Sequence, residues 1–141
     1  MRKIIKLLVV GFLIFSCSND SGNDGSSNCD FDTLSGVETY QNSPSDFLTI
    51  NSLTLEGDCL KVNFSSSGCD GNSWEVKLVD SGLVQESSPP RRNIRLSLKN
   101  EELCEAFIRQ ELTFNVSNLQ VEGNTVLLRL VNSDDEITYE Y

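Results

Sequence analysis

The sequence contains no histidine, and it has only one tryptophan, one methionine and three prolines among 141 residues. Without histidine, the Ser/His/Asp and Cys/His catalytic relays and most zinc sites are excluded. Basic residues are also scarce, with 11 against 21 acidic residues and a formal net charge of −10. Nucleic-acid phosphates require a net-basic surface, so this balance argues against a nucleic-acid partner. The length favours a single domain.

Residues 1–16 have the layout of a secretory signal, in which a basic start precedes a short apolar run that ends at small residues. The apolar run covers residues 7–15 and would rise only about 14 Å as a helix, against about 30 Å for the bilayer core. We therefore expect no transmembrane span here. Residues 14–17, Ile-Phe-Ser-Cys, resemble the lipobox of bacterial lipoproteins. The resemblance implies that Cys17 is acylated and becomes the first residue of the mature chain.

Residues 17–28 are predicted to form a lipidated cysteine followed by a flexible tether. Residues 18–28 contain no apolar side chain, so they cannot bury enough surface to offset the entropy of ordering. A coil of this length spans about 18 Å. Removal of residues 1–16 leaves 8 basic against 21 acidic residues, a charge of −13. We expect a lipid-anchored protein of the bacterial cell envelope, on the periplasmic or surface face of the outer membrane, with its body held off anionic lipid.

Residues 29–141 are predicted to form an all-β domain. Apolar and polar residues alternate with a period of two, which is typical of half-buried strands, and glycine- or proline-rich turns separate the runs. Residues 100–107 could add one helical turn. The pattern favours an immunoglobulin-like antiparallel sandwich, with a small barrel as the alternative. About seven strands are expected, near 47–55, 59–66, 73–81, 93–99, 107–116, 124–132 and 136–141.

The four cysteines after Cys17 are predicted to form two structural disulfides, because an exported chain with an even number of cysteines favours pairing. Three pairings are possible, and we favour Cys29–Cys59 with Cys69–Cys104. Each bond would stabilise the fold by about 4 kcal/mol in the chain-entropy description. A metal site is disfavoured because no pair has C-x-x-C spacing and histidine is absent.

Residues 68–78, which begin Gly-Cys-Asp-Gly-Asn-Ser-Trp, precede a Glu-Ser-Ser-Pro-Pro-Arg-Arg corner at 86–92. A Cys-Glu-Ala at 104–106 and a strand at 112–119 follow. Together these segments resemble the C-terminal β-sandwich domain of NigD-like lipoproteins of Bacteroidetes. The resemblance implies a lipid-anchored sandwich in which Cys69 pairs with Cys104. It implies no catalytic activity, and the histidines often found in that family are replaced here by other residues.

Three arginines, Arg91, Arg92 and Arg95, are concentrated after the double proline. Guanidinium groups bind carboxylates and other anions in bidentate fashion. These residues are therefore a possible anion-binding site, although pairing with surplus carboxylates is the simpler interpretation. Two acidic clusters, at 101–105 and 134–136, lack the spacing of calcium loops and are interpreted as solvated turns.

The sequence therefore predicts a non-enzymatic envelope lipoprotein that binds or protects through its β-sandwich, with an unidentified protein or small-molecule ligand. No cofactor, metal or nucleic acid is expected, and the membrane is contacted through the lipid. One alternative is a structural subunit of an envelope lipoprotein assembly. A less favoured alternative is a hydrolase that uses acidic residues of the two clusters.

Overall fold

The structure, a computed structural model, describes residues 28–141. The predicted signal peptide, Cys17 and all of the predicted tether except Asn28 lie outside the described residues. Within residues 28–141, two β-sheets of four and five strands pack face to face around one apolar core. No helix in this part of the chain is long and apolar enough to cross a membrane.

Nine strands, one six-residue helix and one short 3-10 helix make up the described chain. In chain order they are β1 (Phe31–Asp32), β2 (Leu34–Ser35), α1 (Val37–Asn42), β3 (Thr49–Glu56), β4 (Cys59–Gly68), β5 (Glu75–Gln85), β6 (Arg91–Lys99), β7 (Ala106–Asn115), the 3-10 helix (Ser117–Leu119), β8 (Thr125–Leu130) and β9 (Asp135–Glu140).

The four-stranded sheet has the order β1-β7-β4-β3, and the five-stranded sheet has the order β2-β5-β6-β8-β9. The antiparallel pairs are β3 with β4, β4 with β7, β5 with β6, and β8 with β9. Three pairs are parallel, namely β1 with β7, β2 with β5, and β6 with β8. The all-β sandwich is confirmed, with mixed sheets in place of the purely antiparallel sheets that the sequence predicted.

The core follows from the alternation in the sequence, because successive residues of a strand point to opposite faces of a sheet. In β4, Leu60, Val62 and Phe64 are fully buried, while Lys61 and Asn63 between them are only partly buried. The same pattern places Trp74 against Phe64, with ring centroids 6.1 Å apart. The other fully or almost fully buried apolar residues include Leu78, Ile94, Leu96, Leu98, Phe114, Val126, Leu128, Leu130 and Tyr139.

Each of the seven predicted strands is present within a few residues of its predicted bounds. The additional elements are β1, β2, α1 and the 3-10 helix, which are too short to show a period. The helical turn predicted within residues 100–107 is absent. There the Asn100 side chain accepts a hydrogen bond from the Glu102 amide, and Cys104 is bonded to Cys69, so the segment is held in a non-helical conformation.

The sandwich has two distinct ends. Strand β4 begins at Cys59, beside the point where the described chain starts, and we name this the entry end. It finishes at Gly68, at the far end, and its ten residues span about 30 Å. The far end comprises residues 44–48, 68–74 and 99–107, which connect the two sheets.

Candidate functional site

The entry end holds the first residues of the described chain by a covalent bond and by hydrogen bonds. Cys29 and Cys59 form a disulfide with a Cα–Cα distance of 5.5 Å, which confirms the predicted pair. The Thr113 hydroxyl and amide both donate to an Asp30 carboxylate oxygen at 2.8 Å. These bonds, the hydroxyl first, lower the pKa of Asp30 below its usual value. The chain start is therefore fixed to β4 and β7.

The segment that follows joins both sheets in succession. Strand β1 pairs with β7 in the four-stranded sheet, and β2 pairs with β5 in the five-stranded sheet. Thr33, between them, donates its amide to the Asn115 carbonyl, and its own carbonyl accepts from the Asn118 side chain. Peeling this segment from the body would require the loss of contacts in both layers.

A buried ion pair completes the attachment of β2. Asp80 is fully buried in β5, and its Oδ2 lies 2.8 Å from Nη1 of Arg92 on β6. The same oxygen accepts from the Ser35 hydroxyl at 2.6 Å and from the Gly82 amide at 2.9 Å. Three hydrogen bonds thus converge on one carboxylate oxygen, which binds β2, β5 and β6 together.

The three arginines proposed as an anion site are each engaged within the chain. Arg92 pairs with Asp80, and Arg91 forms a 3.1 Å ion pair with Glu136. Arg95 donates to the carbonyls of Tyr40, Ser43 and Pro44, where α1 ends. The contacts do not bring the three guanidinium groups together, so an anion-binding role remains a prediction without support from this geometry.

Arg95 has a structural role that sequence reasoning missed. Its guanidinium lies 5.2 Å from the centre of the Tyr40 ring, in addition to its bonds to the carbonyls at the end of α1. Helix α1 buries no residue of its own, and these contacts attach its end to β6. No sequence signal links Arg95 to α1, because the residues lie more than fifty positions apart.

At the far end, Glu102 has a role that its interpretation as a solvated turn residue did not include. Its Oε2 accepts the amides of Cys69 at 2.5 Å and Gly71 at 3.1 Å, with a longer contact from Asp70. Its Oε1 accepts the Ser73 hydroxyl at 2.8 Å. A carboxylate that accepts several amide bonds holds the loop around it in one conformation.

The pKa of Glu102 reflects these contacts. Desolvation raises the pKa, but hydrogen bonds from Cys69, Ser73, Gly71 and Asp70 together outweigh it and lower the value to about 2. Glu102 is therefore ionised throughout the neutral range. It is a poor general acid or base at neutral pH, because the favourable catalytic pKa lies near the working pH.

The second disulfide reinforces the same loop. Cys69 and Cys104 are bonded, with a Cα–Cα distance of 4.8 Å, which confirms the predicted pair. The Gln110 side chain donates to the Gly71 carbonyl at 2.9 Å. Gly71 has a φ of 73°, and a Cβ there would lie 2.6 Å from the Gln110 amide nitrogen, so glycine suits this position. The loop after β4 is thus held from three directions.

The other acidic cluster lies at the turn between β8 and β9. Asp134 pairs with Arg129 at 2.6 Å, Asp135 accepts from Ser133, and Glu136 pairs with Arg91. These carboxylates lie in exposed side chains. Among the described residues, no group of three or more acidic or cysteine side chains has a metal-binding arrangement.

Among the described residues, the three most exposed of the large apolar side chains lie at the far end, while five less exposed ones lie elsewhere, namely Phe31, Leu34, Val37, Leu83 and Val84. Leu103 is 95% exposed, Phe47 is 79% exposed and Phe107 is 70% exposed. Sequence reasoning did not single out these residues, since a single apolar residue in a loop or at the end of a strand carries no periodic signal. A separate open groove of about 540 Å³ lies near the proline corner. It is lined by Ser88, Pro89, Pro90, Glu122, Gly123, Asn124, Thr125 and Thr138.

No family model matches the chain, and no curated protein matches it. Among solved structures, the chain is similar to a protein of unknown function, DUF1344, from Bacteroides vulgatus. The sequence identity is 16% and the TM-score is 0.48, with 79% of this chain and 56% of that protein covered. A likeness at this level carries no argument about function.

Proposed function

We propose that this chain is a lipid-anchored protein of the bacterial envelope, whose β-sandwich is a non-catalytic binding module carried on a tether. The observation that carries the proposal is the fixed start of the body. The predicted tether ends at Asn28, and the next residue is bonded to Cys59. A pull on the tether therefore reaches the sheet through a covalent bond.

The contacts of two carboxylates favour a structural role for them over a catalytic role. Within residues 28–141, the carboxylate with the strongest lowering of its pKa, Glu102, is occupied by hydrogen bonds from the adjacent loop. The buried carboxylate of Asp80 is paired with Arg92. Both carboxylates form contacts that hold strands or loops together, which supports a structural role for these two groups. The predicted disulfides also fit an oxidising compartment outside the cytoplasm.

The anchor is tested by a Cys17→Ala variant in a bacterium with lipoprotein processing. The wild-type chain should incorporate labelled palmitate and sediment with the membrane, because acyl chains supply the membrane affinity. The variant should carry no label and should be released. A matched Ser18→Ala variant, one position later, should behave as the wild type. Label on the Cys17 variant, or wild-type protein without label, would contradict the anchor.

A further inference from the structure

We propose that the far end of the sandwich is a docking surface for a protein partner with an apolar centre and a lysine- and arginine-rich rim. This inference rests on the proposed binding function and specifies its site and the chemistry of the partner. The surface comprises Phe47, Leu103 and Phe107 together with the carboxylates of the far end.

The three apolar side chains belong to one region of the fold. Phe107 is opposite Ser67 in the pairing of β7 with β4. The Phe47 carbonyl accepts a 2.6 Å hydrogen bond from the neighbouring Ser66 hydroxyl. Leu103 precedes Cys104, whose disulfide partner Cys69 directly follows β4. All three residues are therefore attached to the last residues of β4 or to the loop that follows it.

The fold holds Leu103 in solvent. On one side, the Glu102 carboxylate is bound by the loop at 69–73, and on the other side Cys104 is bonded to Cys69. With both neighbours fixed, the backbone of Leu103 has little freedom to turn its side chain inward. Holding an apolar group in its bound position before association reduces the entropy lost on binding.

The two phenylalanines are also fixed at the backbone. Phe107 lies on the outward side of β7, because Ile108 beside it packs against the core. Beside Phe47, the Asp46 amide donates to the Leu98 carbonyl, and its carboxylate accepts the Asn100 amide at 2.7 Å. Exposed aromatic side chains on a fixed backbone are typical anchors of protein interfaces.

The charges around these residues indicate the chemistry of the partner. Carboxylates outnumber cations in and beside the far end, with Asp46, Asp70, Glu75, Glu101, Glu102 and Glu105 against Arg95, Lys99 and Arg109. Lys99 is already paired with Glu75 at 3.2 Å and contacts Glu101 at 3.7 Å. A partner with lysines and arginines around an apolar centre would complement this rim. Anionic lipid and a second copy of this acidic end would both be repelled.

The position of the surface agrees with an anchored protein. Strand β4 separates the entry end from the far end by about 30 Å. A tether attached at Cys29 therefore leaves Leu103 and Phe107 at the opposite end of the sandwich from the attachment. The apolar surface is then free to meet a partner while the proposed lipid anchor remains in the membrane.

The experiment places a photoreactive p-benzoylphenylalanine at position 103 of the full chain in the cells that produce it. The matched control carries the same group in place of Leu83, which is 61% exposed on β5 outside the far end. We expect a cross-link to a protein from position 103 and none to that protein from position 83. The cross-linked peptide should be net basic, and Phe107→Glu should reduce its yield about tenfold or more.

A second measurement uses a defined probe. An amphipathic peptide of leucine, tryptophan and lysine should bind the purified protein, and its counterpart with glutamate for lysine should not. Leu103→Ser should weaken lysine-peptide binding about tenfold, while Leu83→Ser should leave it unchanged. Cross-links only to lipid or to copies of the chain would overturn the proposal, as would their absence or equal binding of both peptides.

The proposal of a lipid anchor and the proposal of a docking surface can be refuted independently of each other. Phe107→Glu should leave palmitate labelling and sedimentation with the membrane unchanged, since Phe107 is remote from residue 17 in sequence and from Cys29 in the fold. If Cys17→Ala releases no protein while docking persists, the anchor is refuted and the surface stands. Intact pairing of Cys69 with Cys104 in each variant, shown by non-reducing mass mapping, confirms that the far end is folded.

Discussion

Removal of the Asp80 carboxylate should destabilise the protein by about 3 kcal/mol, because breaking a buried ion pair leaves its partner charge uncompensated. Asp80 is fully buried, and Asp80→Ala deletes the three hydrogen bonds that reach its Oδ2. Losing one partner of a buried pair costs about 3–5 kcal/mol. The Arg92 side chain is 14% exposed and can recover some hydration, which places the estimate at the low end of that range.

The assay is equilibrium unfolding in urea with both disulfides intact. An exposed pair supplies the control, because Glu56→Ala breaks the Lys61–Glu56 contact at the surface and should cost less than about 1 kcal/mol. The double variant Asp80→Leu/Arg92→Met should recover most of the loss, since it removes both buried charges. A cost for Asp80→Ala below about 1 kcal/mol, or an unchanged cost in an Arg92→Met background, would refute this reasoning.

Three further predictions concern the far end and α1. The pKa of Glu102 is lowered on folding, so its stabilisation is complete above the unfolded pKa of about 4.5 and is lost as pH falls towards about 2. The stability difference between the wild type and Glu102→Gln should therefore shrink over that interval in urea titrations. Replacing Cys69 and Cys104 by serine should cost about 4 kcal/mol for a separation of 35 residues, measured in the same way. Arg95→Ala should raise amide exchange in α1 well before global unfolding, because it removes the bonds to the Tyr40 and Ser43 carbonyls.

Each of these predictions has a result that contradicts it. A stability difference that stays constant from pH 5 to about 2 would show that Glu102 does not hold the loop as a carboxylate. A double serine variant as stable as the wild type would show that the Cys69–Cys104 disulfide does not stabilise the fold. Unchanged exchange in α1 would show that other contacts fix the helix, and Arg91→Ala is the matched control.

The strands could be predicted because burial on one face of a sheet imposes a period of two. Leu60, Val62 and Phe64 show that period, and Trp74 begins another such run in the core as expected. The disulfide partners could also be proposed, since only three pairings exist for four cysteines. The strands depend on local residue spacing, and the disulfides depend on a choice among few possible pairings.

The remaining features depend on contacts between distant residues. The two strands β1 and β2 are two residues long each and have no burial pattern to detect. The role of Glu102 arises from a loop about thirty positions earlier, and Asp80 meets Ser35 across forty-five positions. A lone carboxylate in a sequence has the same composition whether it is solvated or bound, so these roles emerge only when the chain is folded.

The placement of the two disulfides gives the protein a mechanical property. Cys59 begins β4 and Cys69 directly follows its last residue. A load between the chain start and the far end therefore passes from one covalent bond through a fully extended strand to the other. That strand is supported by β3 on one side and β7 on the other. Residues 30–58 lie inside the loop that the Cys29–Cys59 bond closes, so this bond bypasses them. Under such a pull, the distance between the chain start and the far end should therefore change very little.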